Sequence, residues 1–96
     1  MRIARVTGTV IGTVKEPQFS GQKMLIVDII DAEGATLEPS LVALDVYGAG
    51  PGDLVVMTTG AAARMPAATS GIATDATVVA IIDEITVDGR AVYNAP

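Results

Sequence analysis

ALDVYGAGPGDLVVMTTGAAAR, residues 43–64, is the stretch on which the fold turns. Its centre, GAGPGD (48–53), sets Gly48, Gly50 and Gly52 before Asp53 and has the look of a phosphate cradle. A dinucleotide-binding turn needs its glycines between a strand and a helix, so that the pyrophosphate meets the helix N-terminus. Here the glycines lead into LVVMT (54–58), whose β-branched run reads as a strand. Pro51 removes one of the backbone N–H groups a cradle would use, and no Lys-Ser/Thr pair follows. GAGPGD is therefore expected to be a tight bend between two strands. Beyond the strand, Thr58-Thr59 and GAAARM (60–65) predict one short helix, stopped by Pro66.

Outward from this stretch, strand periodicity continues. In 2–15 the even positions read Arg, Ala, Val, Gly, Val, Gly, Val, which predicts a long strand with one buried face, bent at Gly8 and Gly12. EPQFSG (16–21) reads as a loop, and KMLIVDII (23–30) as a central strand, apolar on both faces apart from Asp28. DAEG (31–34) reads as a turn and Pro39 as the end of an irregular stretch, with 41–46 the third strand. Residues 66–74 read as loop and 77–87 as one long strand, and Asp88-Gly89 signals a hairpin returning through 90–93. Five or six strands with one helix after the fourth predict an all-β fold. The expected form is a small five-stranded barrel of the oligonucleotide/oligosaccharide-binding (OB) type, with one short helix and a C-terminal β-hairpin. Residues 1–96 are expected to form a single domain.

Composition narrows the chemistry. The chain has 96 residues, no cysteine and no histidine, so thiolate chemistry, disulfides and the commonest metal ligand are absent. No cofactor, metal site or catalytic residue is expected. Phe19, Tyr47 and Tyr93 are the whole aromatic complement, so the core must come from aliphatic residues and alanine. A chain this small and apolar is expected to hide surface against another subunit. The net charge of −5 disfavours nucleic acid and anionic membranes, and aromatic platforms among basic residues are missing. No apolar run approaches a membrane span, and the first ten residues show no apolar leader, which predicts a cytoplasmic protein.

The carboxylates divide into two groups. Asp83 and Glu84 are neighbours on one predicted strand and face opposite sides, and Asp31 and Glu33 belong to a turn. These read as solvated or turn-capping groups. Asp28 and Asp45 lie inside apolar strands and need partners, for which Arg5, Lys23 or Arg64 are the candidates. Arg64, after Ala61, Ala62 and Ala63, fits either a cation at a helix C-terminus or a residue at a junction between subunits.

The order of these motifs resembles the vertex proteins of bacterial microcompartments, the pentameric shell family of carboxysomes and ethanolamine- and propanediol-utilisation compartments. The resemblance runs over three segments. RVTGTVIGTVKEPQFSGQKMLIV carries Val6, Gly8, Val10, Thr13, Lys15, Gly21 and Lys23 in the family's order. The middle stretch carries Asp45, Gly48, Gly50, Gly52, Asp53, Gly60, Ala63 and Arg64, and DATVVAIIDEI carries Asp75, Ala76, Val79, Ile81, Ile82 and Asp83. Ala61 stands where serine is common and Ala73 where proline is usual. The resemblance implies a non-enzymatic homopentamer capping the vertices of a polyhedral shell, alongside hexameric and trimeric shell proteins. It also implies that Gly48, Gly50, Gly52, Asp53 and the segment Gly60, Ala61, Ala62, Ala63, Arg64 lie at subunit contacts or the five-fold axis. Two rivals remain: an OB-type module binding an oligonucleotide or small ligand, and a small carboxylate-dependent hydrolase.

Overall fold

The computed structural model describes residues 1–96. Five strands, β1 (Arg2–Val10), β2 (Lys23–Ile30), β3 (Thr36–Asp45), β4 (Leu54–Thr59) and β5 (Ala76–Ile81), close into a barrel in the order β1-β2-β3-β5-β4. Neighbouring strands are antiparallel except β3 and β5, which run parallel and meet through one residue pair, Leu44 and Thr77. This is the expected OB-type barrel. Two further strands, β6 (Glu84–Val87) and β7 (Arg90–Asn94), form a separate two-stranded hairpin around Asp88-Gly89.

The core follows from the alternation. Ala4 and Val6 of β1, Leu25, Val27 and Ile29 of β2, Val55 and Met57 of β4, and Ala76 and Val78 of β5 point inward. Two-residue spacing places each set on one face of its strand. No aromatic side chain enters this core, and Ala43 and Ala49 complete it.

Five local expectations change. β1 ends at Val10 rather than Lys15, because its partner β2 runs out: Val10 pairs with Met24 near the start of β2. The bend in β1 sits between Val6 and Gly8, where the ladder slips register. Pro39 lies inside β3 and does not end an irregular stretch. It is tolerated because the pairing skips there, with Val27 opposite Leu41 but Ile29 opposite Glu38. Ser40, at φ 60°, completes the irregularity and donates its N–H to Asp28 Oδ1 at 2.9 Å.

The predicted strand 77–87 is two strands. Ile82 donates its N–H to the Leu54 carbonyl at 2.8 Å, and the chain then leaves the barrel for the hairpin. Gly60–Arg64 is a 3-10 helix, and two shorter 3-10 turns occur at Pro17–Phe19 and Ala67–Thr69. Five residues before a proline are too few to nucleate an α-helix, so the chain takes the tighter form.

Candidate subunit-contact sites

The turn 46–53 is built around the carboxylate of Asp45. This side chain is fully buried; Oδ1 accepts the Tyr47 N–H at 2.8 Å and Oδ2 accepts the Ala49 N–H at 2.7 Å. Lys23 lies across the ladder from Asp45, its Nζ 3.9 Å from Oδ2, and donates to the Ala49 carbonyl at 2.6 Å. Asp53 repeats the device, accepting the Gly50 N–H on Oδ2 at 2.9 Å. The Gly52 N–H reaches the Val6 carbonyl at 2.8 Å and Val6 N–H returns to the Asp53 carbonyl at 2.9 Å. The amides of Ala49, Gly50, Gly52 and Asp53 are thus spent inside the protein. A phosphate would find few free donors here. Gly52 takes φ 93°, which a side chain at this bend would strain.

The second segment hangs from the other end of β4. The Gly60 N–H bonds the Asp75 carbonyl at 2.8 Å, joining the ends of the inserted segment 60–75. Ala63 is wholly buried, and its carbonyl accepts two hydroxyls, Thr69 Oγ1 at 2.8 Å and Thr77 Oγ1 at 2.7 Å. That anchor turns Ala61, Ala62 and Arg64 to the outside, where all three are exposed. Arg64 donates to the Thr74 carbonyl at 3.2 Å. Thr69 and Thr77 carry this geometry, yet threonine in a loop and in a β-branched strand leaves no signal in the sequence.

The candidate residues therefore fall into two groups. Gly48 to Asp53 enter β4 and Gly60 to Arg64 leave it, so the six residues of β4 separate them by about 20 Å at the usual strand rise. Other acids spend their oxygens locally. Asp31 Oδ1 accepts the Glu33 and Ala35 N–H groups at 2.9 and 3.0 Å, capping its own turn. Asp28 is held by the Ser40 amide and has no ion-pair partner, although Arg5 lies opposite it in register. The Arg5 guanidinium goes instead to the Gly34 carbonyl at 3.0 Å.

The family model described as "Ethanolamine utilisation protein EutN/carboxysome" matches residues 1–83. The chain belongs to the EutN/carboxysome family. Relatives of this family match along nearly the whole chain. The carboxysome shell vertex protein CcmL of Synechococcus elongatus is 43% identical over 94 residues, covering 98% of this chain and 95% of that protein. Among solved structures, CcmL of Nostoc sp. PCC 7120 superimposes with a TM-score of 0.91 at 42% identity, covering 99% of this chain and 100% of that one. The GrpN pentameric microcompartment shell protein of Rhodospirillum rubrum does so with a TM-score of 0.80 at 33% identity, covering 91% and 99%. Within this EutN/carboxysome chain, both candidate segments fall inside the matched residues, whereas β6 and β7 lie beyond them.

Proposed function

We propose that this protein is a structural subunit whose homopentamer closes the vertices of a bacterial microcompartment shell in the cytoplasm. The observation that carries the reading is full-length similarity to proteins named shell vertex proteins, together with a matching fold in a pentameric shell protein. The physics of the chain supports it. An open sheet of hexamers is flat, and five-fold units supply the curvature that closes it. A five-fold ring has heterologous contacts, in which each copy uses two different surfaces. This protomer has large apolar side chains on its outside, among them Ile11, Val14, Val42, Tyr47 and Met65.

In this reading the protein is no enzyme, and hexameric and trimeric shell proteins are its neighbours. The small-residue turn Gly60–Arg64, exposed apart from Ala63, approaches the five-fold axis, and the bend 48–53 touches the adjacent subunit. Native mass spectrometry of the purified protein tests the core of the proposal. Five copies are expected, and a monomer at micromolar concentration would overturn it. Imaging of the ring then tests the axis. Gly60–Arg64 at the outer rim would overturn that assignment while leaving the pentamer intact.

A further inference from the structure

The bend GAGPGD spends its amides inside the protein, but a second glycine-bearing turn does not. An open cleft of about 340 Å³, the largest on the protomer, lies between the end of β1 with the turn that follows it and the start of β2. Small-molecule sites measure about 300–1,000 Å³, so this cleft is large enough for a small ligand. Both lysines of the chain, Lys15 and Lys23, line it, and no acidic residue does. That runs against the balance of a chain with eleven acids and six bases.

The cleft also holds uncommitted donors. Gly12, Lys15 and Gly21 line it outside every strand, and their N–H groups have no acceptor within the chain. Such amides are open to water or to a ligand. A Cβ added at Gly12 or Gly21 would meet nothing within 4 Å, so no side chain covers either glycine. Lys15 Nζ donates to the Gly12 carbonyl at 2.7 Å, which folds the ammonium back over its own turn and leaves two of its three protons free. Lys23 Nζ donates to the Ala49 carbonyl at 2.6 Å and stands 3.9 Å from Asp45 Oδ2. Asp45 offsets part of the Lys23 charge, but that carboxylate is fully buried and lies outside the cleft wall. Glu16 follows Lys15 in the chain and does not line the cleft either. Val10 and Met24 add an apolar wall.

Two ammonium groups with protons to spare, unpaired amides between them and no carboxylate in the wall are the donor set of a multivalent oxyanion. We propose that this cleft binds a phosphate-type oxyanion, either the free ion or the head of a small monoester whose organic part lies along Val10 and Met24. Every lining residue comes from one protomer, so the site is complete without the ring and goes beyond the structural role.

Amide NMR of the full-length, 15N-labelled protein tests this, with inorganic phosphate titrated at constant ionic strength against sodium chloride. The amides of Gly12, Lys15 and Gly21 should shift and saturate with a dissociation constant in the millimolar range, while those of 49–53 stay in place. Lys15 is exposed, so Lys15→Gln should leave the rest of the spectrum unchanged and weaken binding about fivefold, the effect of one partly screened charge-assisted bond. Lys15→Arg should restore most of the affinity. Glycerol phosphate separates the two sources. Tighter binding than phosphate, with a shift at Met24, identifies a phosphorylated metabolite; weaker binding identifies the free ion, and either result supports the site. Shifts that never saturate, that chloride reproduces, or that keep the same constant in Lys15→Gln would overturn the proposal.

Discussion

Replacing Asp45 by asparagine tests what holds the turn into β4. The carboxylate is fully buried and takes two backbone N–H groups, one on each oxygen, at 2.8 and 2.7 Å. An amide keeps one acceptor and presents an NH₂ donor where the other was. One charge-assisted bond becomes a neutral one and a second is lost outright. With such bonds worth about 1.5–3 kcal/mol, the cost should be roughly 2–3 kcal/mol. The ion pair contributes little to this sum. Lys23 Nζ stands 3.9 Å away on a side chain that is 45% exposed, so solvent screens it. Lys23→Met should therefore cost about 1 kcal/mol or less, most of it from the lost bond to the Ala49 carbonyl. Urea unfolding at one fixed protein concentration reads both variants. At a slope of about 1–1.5 kcal/mol/M, the asparagine variant should lose roughly 2 M of midpoint and the methionine variant under 1 M. Equal losses would refute the reasoning, because they would make the lysine, and not the two amides, the principal partner of Asp45.

Three further outcomes are expected. Thr77→Val should cost about 1 kcal/mol, since Thr69 still satisfies the Ala63 carbonyl; adding Thr69→Val should cost more than the sum of the single changes, and simple additivity would count against a shared acceptor. Gly60→Ala should lose about 1–2 kcal/mol in a thermal or urea melt, because its φ of 65° is strained for alanine although the space around it is open; an unchanged midpoint would show that the turn does not need this conformation. Gly50 has neither a positive φ nor a neighbour within 4 Å of an added Cβ, so Gly50→Leu should leave protomer unfolding within about 0.5 kcal/mol. Its native mass then reports on the ring alone, and an undiminished pentamer would show that the bend 48–53 makes no close contact with a neighbour.

The barrel was legible because alternation survives wherever one face is buried: Ala4 and Val6 sit inward at the even positions that the sequence marks. The bend at GAGPGD was legible because its glycines run into a strand, β4, and not into a helix. Lys23 was among the cations proposed for the buried acids, and it stands beside Asp45. Other features depend on partners remote in the chain and leave no local mark. Nothing in KMLIVDII shows that Asp28 takes the amide of Ser40, or that this bond accompanies a proline inside a strand. The break at Ile82 is equally silent, since TVVAIIDEITV is a sound strand throughout and its place in the barrel ends only because β4 begins at Leu54, the last residue it bonds. The candidate contacts divide likewise. Gly48 to Asp53 announce a bend by composition, whereas the outward turn of Arg64 depends on the hydroxyls of Thr69 and Thr77.

The single pair at Leu44 and Thr77 that closes β3 against β5 also orders events in time. β1, β2 and β3 are consecutive in the chain and can zip together as neighbours, but the closing pair waits for β4 and the inserted segment 60–75 to be laid down. Until then the edge of β3 is open to any extended chain nearby. Closure is thus the late step in folding, and amide exchange inside the barrel should be fastest along this join. A cell assembling many such rings at once has its main opportunity for strand exchange between unfinished subunits in the interval before Thr77 arrives.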